Sequence, residues 1–407
     1  MCPTIVPLMR ETKKEQDIYF TSLIETMKIL VATEKPFAKK AVDGIRKIVE
    51  DAGYELALLE KYTDKGQLLE AVADVDALIV RSDKVTAEVI AAAKNLKIVV
   101  RAGAGYDNVD LAAASARGIV VMNTPGQNSN AVAELALAMM IFMSRNRFTP
   151  GTGTELQGKT LGIHAYGNVG RLVGRKGKAL GMNVVAYDPF IADGAVFEAD
   201  GVKKVASVEE LYRVSDFLSL HIPATAETKG FVNDSLIAQM KHGVRILNFA
   251  RGELVNTAAM VNALKTGRVA CYVCDFPSEA LLSAEGAVCI PHLGASTPES
   301  EDNCAVMAAD ELGDYLLNGN IKNSVNFPSV SMPRAGGSRI CVVHRNIPGI
   351  LAAITDVTSK AGLNIDNMTN KSRGDYAYTM LDTGGSVGTA DAARLLDVSG
   401  IIRVRVV

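Results

Sequence analysis

The feature that most constrains the fold is an alternation of short apolar segments with amphipathic helical segments, which runs twice along the chain. Between residues 27 and 127 the strand-like segments are MKILVAT, DALIVRS, KIVVRAG and IVVMNTP, and 36–55 has a helical pattern. A second alternation covers 158–297. Strands separated by helices favour parallel pairing, because the connection has to cross over the sheet. We therefore predict an α/β protein with two doubly wound parallel sheets, a Rossmann-type domain inserted in a flavodoxin-like domain.

The spacing of these elements also predicts domain boundaries. A strongly apolar helix at 131–144 crosses to the inserted domain, which covers 128–297, and a long helix from 298 returns to the first domain, covering 27–127 and 298–327. After a linker rich in Pro, Ser and Gly, 338–407 has the order βαββαβ, which predicts a ferredoxin-like domain. The charge order of residues 1–26 is wrong for a secretory signal, and the first strand-like run begins at Met27. We expect 1–26 to be a disordered extension or an artefact of start-codon choice.

Composition excludes several classes of function. A formal net charge of −2 without a long basic run argues against nucleic-acid or membrane-surface binding. No uncharged apolar stretch is long enough to predict a membrane span. Cys271 and Cys274 lie within a strand-like run, where their side chains point to opposite faces, so we interpret them as core thiols and predict no metal site. This use of cysteine indicates a reducing, cytoplasmic setting.

A strand–turn–helix segment at 160–180 predicts a dinucleotide site. The turn has the form A-x-G-x-x-G, in which Gly167 lets the backbone approach a pyrophosphate and Gly170 lets the helix pack on the strand. The N–H groups at the helix start, around Asn168 and Val169, would hold the phosphates. Asp188 ends the next strand, 188 − 170 = 18 residues after the last glycine, where a carboxylate binds ribose hydroxyls. This arrangement favours NAD over NADP.

Oxidation of an alcohol by a bound dinucleotide would also need a base for the hydroxyl proton, and histidine is the usual one near neutral pH. Two of the five histidines follow strands at the edge where ligands collect in such sheets. These are His221 and His292, and position alone leaves the choice between them open.

Longer motifs carry a resemblance that covers 27–327. The motifs are VRSDKVT (80–86), VRAGAGYDNVDL (100–111), GIVVMNTPG (118–126), GKTLGIHAYGNVGR (158–171), LHIPATAETKG (220–230), ILNFARGELV (246–255), CDFPSE (274–279) and PHLGAST (291–297). By these motifs the chain resembles the D-2-hydroxyacid dehydrogenases, and within them the branch that acts on phosphoglycerate.

The resemblance implies a role for each matching residue. His292 is expected to be the general acid/base, Glu279 its carboxylate partner, and Arg251 the group that binds the substrate carboxylate. Further cofactor contacts are implied for Ile222, Phe249, Ala250, Arg251, Asp275, His292 and Gly294. Substrate contacts are implied for Arg81, Ser82, Ala102, Gly103, Ala104 and Gly105. The interval from Asp275 to Glu279 is one residue shorter than is usual in the family, and Ala280 replaces a proline.

The last domain resembles ACT regulatory domains. On this resemblance His344, Asn346 and Asn364 are expected to bind L-serine as an effector, with His344 and Asn346 on the loop before the first helix. Such domains pair side by side, which implies a homo-oligomer, either a dimer or a tetramer. The activity implied is NAD-dependent oxidation of the small molecule 3-phospho-D-glycerate, inhibited by L-serine. Two alternatives stay open: a reductase for glyoxylate or hydroxypyruvate, and an NAD-sensing corepressor-like binding protein.

Overall fold

The computed structural model describes residues 26–335 and 337–407, so almost all of the predicted extension lies outside the described residues. The strands are β1 (Lys28–Thr33), β2 (Glu55–Glu60), β3 (Ala77–Val80), β4 (Ile98–Arg101), β5 (Val120–Asn123), β6 (Thr160–His164), β7 (Asn183–Tyr187), β8 (Lys203–Lys204), β9 (Phe217–Leu220), β10 (Val244–Asn248), β11 (Val269–Cys274), β12 (Ala287–Cys289), β13 (Ser338–Arg345), β14 (Ile365–Arg373), β15 (Tyr376–Thr383) and β16 (Ile401–Val406).

The helices, numbered in chain order, are α1 (Lys39–Asp51), α2 (Lys65–Ala71), α3 (Ala87–Ala92), α4 (Leu111–Ala116), α5 (Ser129–Ser144), α6 (Asn168–Ala179), α7 (Ala195–Ala199), α8 (Val208–Val214), α9 (Asp234–Ile237), α10 (Thr257–Lys265), α11 (Glu279–Leu282), α12 (Pro298–Asn318), α13 (Ile350–Lys360) and α14 (Thr389–Leu395). Short 3₁₀ helices lie at Asn146–Phe148 and Gly252–Leu254.

The first sheet has five parallel strands in the order β2-β1-β3-β4-β5. This is the flavodoxin-like order, and the predicted fold class is confirmed. The central strand β3 reads ALIV and is buried on both faces, as a strand covered by helices on both sides must be. The sequence prediction missed β2, an edge strand that reads ELALLE and is only partly buried.

The second sheet has seven strands in the order β12-β11-β10-β9-β6-β7-β8, and every neighbouring pair is parallel. Side chains alternate between its faces, so each face has its own apolar core. Cys271 belongs to one core and Cys274 to the other, and both thiols are buried, as the strand interpretation predicted.

The third sheet is antiparallel, in the order β14-β15-β13-β16, which confirms the ferredoxin-like βαββαβ prediction. One face packs on α13 and α14 through a core that includes Ile340, Ile354 and Leu381. The outer strand β14 reads IDNMTNKSR and is mostly exposed.

Two buried arginines of this sheet satisfy carbonyl groups at the end of α12. Arg405 donates to the carbonyls of Tyr315 and Leu316, at 3.3 and 3.0 Å. Arg339 donates to the carbonyl of Asn318 at 2.9 Å and forms a bidentate pair with Asp382, at 2.6 and 2.8 Å. Because the last carbonyls of a helix have no partner within the helix, these contacts attach the third sheet to α12.

The chain divides into two compact units. Of the residues that the structure describes, one unit contains 26–101, 105–123, 308–335 and 337–407, so the first and third sheets belong together. The other contains Ala102–Ala104 and Thr124–Met307, with the seven-stranded sheet. Among the described residues, no helix is long and apolar enough to cross a lipid bilayer.

Candidate active site

The predicted cofactor and catalytic residues of the second unit follow six neighbouring strands of the parallel sheet. Because parallel strands end at one edge, residues that are distant in sequence are placed along a single line. From one side of the sheet to the other the order is His292 after β12, Asp275 after β11, Phe249–Arg251 after β10, Ile222 after β9, the glycine turn after β6 and Asp188 after β7.

The turn between β6 and α6 has the backbone that a pyrophosphate site requires. A β-carbon at Gly170 would lie 2.2 Å from the carbonyl oxygen of Ala165, so only glycine fits there, whereas Gly167 has open space around it. Ala165 has a left-handed φ of 73°, a conformation that favours the glycine of the general G-x-G-x-x-G fingerprint. The first N–H groups of α6 have no side-chain cap and remain available to an anion.

Asp188 is buried at the end of β7 and holds the glycine turn. One carboxylate oxygen accepts the N–H of Tyr166 and the other accepts the N–H of Phe190, both at 2.9 Å. A carboxylate has about four acceptor positions, so ribose hydroxyls can bind to the same group. Asp188 therefore both shapes the turn and offers the charge that would discriminate against a 2′-phosphate.

Arg251 follows β10 in a loop that is held by a residue without a predicted role. Asn248 is fully buried, and its amide donates to the carbonyl of Arg251 at 2.9 Å and accepts from the N–H of Ala250 at 3.2 Å. The Arg251 guanidinium donates to the carbonyl of Ala250 at 2.7 Å. A polar residue at the end of a buried strand, as in ILNFARG, was the available signal for Asn248.

Asp275 and His292 lie on neighbouring loops. Asp275 is buried, and one of its carboxylate oxygens accepts the N–H of Gly294 at 3.3 Å, while the other has no hydrogen-bond partner in the described part of the chain. Burial raises the pKa of Asp275, and the positive charges of His292 and Arg251 oppose that effect. The exposed imidazole of His292 packs edge-on against the Phe276 ring, with centroids 5.0 Å apart.

Glu279 is the site residue that departs most from expectation. It is exposed at the start of α11, and across residues 26–335 and 337–407 no hydrogen bond or ion pair joins its carboxylate to His292. The pairing of Glu279 with His292 stays a prediction.

His221 has a different environment from His292. Its Nε2 lies 2.9 Å from the hydroxyl of Ser219, and burial, with a smaller contribution from His164, lowers the pKa of His221 to about 3. An efficient general base has a pKa near the working pH, so His221 is poorly suited to exchange a proton at neutral pH.

The predicted phosphate residues lie in the other unit, after β3. Arg81 donates to the carbonyl of Pro36 at 3.1 Å, and its guanidinium lies 5.1 Å from the centre of the Phe37 ring, while Ser82 is exposed. The strand end is shaped by Asp83, a buried residue without a predicted role. Its carboxylate accepts from the N–H of Glu34 at 2.7 Å and from the hydroxyl of Tyr62 at 2.9 Å.

The loop after β4 is divided between the two units. Ala102–Ala104 group with the seven-stranded sheet, and the carbonyl of Gly103 accepts the N–H of Thr124 at 3.0 Å. Gly105 groups with the other unit. Gly103 has φ of 148°, a conformation that favours glycine.

Residues 137–294 match the family model described as D-isomer specific 2-hydroxyacid dehydrogenase, NAD binding domain. The D-3-phosphoglycerate dehydrogenase 1 of Saccharomyces cerevisiae is 31% identical over 389 residues, which is 86% of this chain and 81% of that protein. The chain belongs to the D-2-hydroxyacid dehydrogenase family.

Other members of the D-2-hydroxyacid dehydrogenase family are similar over about three quarters of this chain. The D-3-phosphoglycerate dehydrogenase of Archaeoglobus fulgidus is 38% identical over 325 residues, 75% of this chain and 60% of that protein, so the chain spans less than two thirds of this relative. A crystal structure of cofactor (NAD+) bound 3-phosphoglycerate dehydrogenase from Entamoeba histolytica is 42% identical, has a TM-score of 0.69 and covers 74% of this chain and 99% of that one. These matches confirm the predicted NAD cofactor.

The residues of this dehydrogenase fit that cofactor. The unpartnered, buried carboxylate oxygen of Asp275 needs a donor, and a carboxamide N–H supplies one. The open backbone at Gly167 and the uncapped start of α6 suit a pyrophosphate. Glycine at 294 also suits the site, since a β-carbon there would make a tight contact of 3.2 Å with the Asp275 carboxylate.

The predicted effector residues do not come together within one chain. His344 lies inside β13, not on the loop, and is buried; its Nδ1 contacts the carbonyl of Arg345 and its Nε2 the hydroxyl of Thr379, both at 2.8 Å. Asn346 follows β13 at the Tyr376 end of β15, whereas Asn364 precedes β14 at the Thr383 end. The length of β15 separates the two ends by roughly 25 Å.

Proposed function

We propose that the chain oxidises 3-phospho-D-glycerate to 3-phosphohydroxypyruvate with NAD in the cytoplasm, as the first step of L-serine synthesis. The observation that carries the proposal is the placement of Arg251 and His292 at the same sheet edge as the dinucleotide turn. Support for the substrate comes from the relatives, several of which are D-3-phosphoglycerate dehydrogenases.

In this proposal NAD, when bound, would supply the hydride acceptor for the carbon that bears the hydroxyl group. His292 takes the hydroxyl proton, so that the new carbonyl forms without a cationic intermediate. Arg251 binds the substrate carboxylate and orients the reacting carbon, which removes orientational freedom before reaction. Asn248 positions Arg251 by holding the carbonyl of that residue.

Substitution can identify the carboxylate that supports His292. Glu279 is the predicted partner, but Asp275 is the carboxylate whose pKa responds to the charge of His292. Glu279→Gln and Asp275→Asn keep size and remove charge, so they form a matched pair. If Glu279 is the partner, the first variant lowers kcat by about a hundredfold or more; if Asp275 replaces it, only the second variant does.

The phosphate group distinguishes the first function from its closest alternative. We propose that Arg81 and Ser82 bind the substrate phosphate and that N–H groups from Ala102 to Gly105 bind its carboxylate. Arginine suits a phosphate because its donors form a planar fork. The alternative is a reductase of unphosphorylated keto acids such as glyoxylate or hydroxypyruvate, in which Arg81 has no ligand.

A steady-state assay separates these functions. The full chain is supplied with NAD and 3-phospho-D-glycerate, and separately with NADH and glyoxylate or hydroxypyruvate. We expect NADH formation with the phosphorylated substrate and a large increase in KM in Arg81→Met. Reduction of glyoxylate without activity on 3-phosphoglycerate would overturn the proposal. NAD binding without turnover of any of these substrates would favour the corepressor-like alternative.

We also propose that L-serine is an inhibitor and that it binds between two chains of a homo-oligomer. The proposal is supported by the separation of Asn346 and Asn364, which excludes one small ligand from contacting both within one chain. Asn346 donates to the carbonyl of Gly374 at 3.1 Å and Asn364 to the carboxylate of Asp366 at 2.8 Å. Both asparagines are exposed, so a second copy of the chain can reach them.

A further inference from the structure

Two cysteines face each other on neighbouring strands next to the candidate active site. Cys274 ends β11 and Cys289 ends β12, and the two are direct partners in the parallel pairing. Their Sγ atoms lie 3.8 Å apart, and both side chains contact the same apolar core. Neighbouring strands lie about 4.8 Å apart, which is within the Cα separation that a disulfide spans. Rotation of the side chains is therefore sufficient for a bond between the sulfur atoms.

The position of this cysteine pair connects it to the reacting groups. Cys274 directly precedes Asp275, and Cys289 lies three residues before His292. The thiol of Cys274 is directed at the carbonyl of Phe276, 3.6 Å away, and the Phe276 ring packs against His292. A change at the pair therefore acts on both loops that carry the proposed proton-transfer and cofactor contacts.

We propose that Cys274 and Cys289 form a reversible intramolecular disulfide under peroxide stress and that the disulfide lowers turnover. Both thiols are free in the structure. The effect on turnover rests on the proposed function, whereas formation of the bond does not.

The chemistry starts at Cys289, because it is partly exposed while Cys274 is fully buried. The Cys289 sulfur attacks hydrogen peroxide, the O–O bond breaks, and a sulfenic acid and one water form; sulfur is oxidised and peroxide is reduced. The Cys274 sulfur then attacks the sulfenic sulfur, the S–O bond breaks, and a second water leaves with the thiol proton. Two thiols and one peroxide give one disulfide and two waters.

The second step is slow for a physical reason. Burial raises the pKa of the Cys274 thiol, and the nearby Cys289 sulfur adds to the effect, so little reactive thiolate is present at neutral pH. The pair is thus expected to stay reduced under ordinary cytoplasmic conditions and to respond to sustained peroxide.

Bond formation alters the ends of both strands. The sulfur atoms must move from 3.8 Å to about 2.05 Å apart. The Cys274 thiol also loses its proton and hence its contact with the Phe276 carbonyl. Because a shift of about 1 Å at a reacting group lowers rates by up to about a hundredfold, we expect turnover to fall at least about tenfold on oxidation.

The test uses the full chain treated with hydrogen peroxide and digested under conditions that block thiol exchange. Mass spectrometry is expected to find the 274–289 linked peptide, and intact mass to show loss of two hydrogens, both reversed by dithiothreitol. Cys289→Ser is expected to abolish the linked peptide and the loss of turnover. Cys271→Ser is the matched control, because Cys271 lies on the same strand but in the opposite core, and it is expected to behave as the unmodified chain.

Absence of the 274–289 peptide would overturn the proposed pair. Linkages to Cys304 or Cys341 in amounts equal to the 274–289 linkage would overturn it as well. Formation of the disulfide with unchanged turnover would overturn the proposal that the disulfide lowers turnover. If the chain does not act on 3-phospho-D-glycerate, the mass measurement still decides whether the bond forms, and NAD affinity before and after oxidation then reports the effect on the site. The two proposals therefore fail in distinguishable ways.

Discussion

The parallel seven-stranded sheet and the antiparallel four-stranded sheet distribute their polar residues in opposite ways. In the parallel sheet every strand ends at the same edge, so Asp188, Arg251 and His292 line one side of a single unit. In the antiparallel sheet alternate strands end at opposite edges, so Asn346 and Asn364 are separated by the length of β15. The seven-stranded sheet can therefore form a site from one chain, whereas the proposed site on the four-stranded sheet needs a second copy of the chain.

The substitution that removes the proposed base, His292, is expected to lower activity most. His292→Ala is expected to lower kcat by about a thousandfold, because no neighbouring group replaces proton transfer to an imidazole. NAD binding, followed by fluorescence titration, is expected to change little. His221→Ala serves as the comparison at the same edge. A greater loss of kcat in His221→Ala than in His292→Ala would contradict the assignment.

The antiparallel sheet contributes stability through a buried ion pair. Arg339→Met leaves the Asp382 carboxylate buried without its partner, so the free energy of unfolding is expected to fall by about 3 to 5 kcal/mol. Chemical denaturation of the full chain measures it. The matched control is Lys360→Met, which breaks the exposed Lys360–Asp356 pair and is expected to cost less than about 1 kcal/mol. Equal losses in both variants would contradict the structural role of the buried pair.

A buried histidine makes the stability of the parallel sheet depend on pH. Burial lowers the pKa of His164 from its ordinary value of 6.5 to about 4, and its Nδ1 lies 3.0 Å from the Tyr212 hydroxyl. As the pH falls, the unfolded chain binds this proton first, so stability that is present above pH 6.5 is lost between pH 6.5 and 4. Protonation of His164 is expected to lower the free energy of unfolding by about 3 kcal/mol over this range.

His164→Gln tests that dependence, because it removes the titrating group while keeping a polar side chain near Tyr212. Unfolding free energy measured against pH is expected to fall less steeply between pH 6.5 and 4 in the variant than in the unmodified chain. Parallel curves for the two proteins would show that His164 does not contribute.

Asp188 tests the cofactor preference at the far side of the same edge. Asp188→Ala is expected to weaken NAD binding about tenfold and to relax discrimination against NADP, since a charge-assisted hydrogen bond is lost. Asp188→Asn is the control, because it keeps an acceptor for the N–H of Tyr166 or Phe190 while removing the charge. An unchanged ratio of NAD to NADP affinity in Asp188→Asn would contradict the ribose contact.

Substitutions in the antiparallel sheet test whether two chains share the proposed L-serine site, and their expected effects are small. Asn346→Ala and Asn364→Ala are each expected to weaken inhibition by L-serine about fivefold, which is the loss of one hydrogen bond. Oligomers mixed from the two variants are expected to recover part of the inhibition, because one interface then contains both asparagines. No recovery in the mixture, with normal assembly, would contradict a shared site.

Some residues were predictable because local rules decide them. The glycine turn follows from backbone freedom, and Gly170 is required by the 2.2 Å distance to the Ala165 carbonyl. Strands such as β3 follow from apolar, β-branched runs. The edge strand β2 was missed because an edge is only partly buried and its sequence reads like the end of a helical segment. Asn248 and Asp83 were missed because their hydrogen-bond partners lie in other segments of the chain.

The two doubly wound sheets, the ferredoxin-like third sheet and the NAD turn could be predicted from the sequence alone, because periodicity and glycine geometry are local properties. The packing of distant segments decides that Glu279 is exposed, that Asp275 and His292 lie on neighbouring loops, and that Cys274 faces Cys289. The reason is that strand order and register are set by packing between distant segments. A one-residue change in a loop alters such contacts without changing any local pattern.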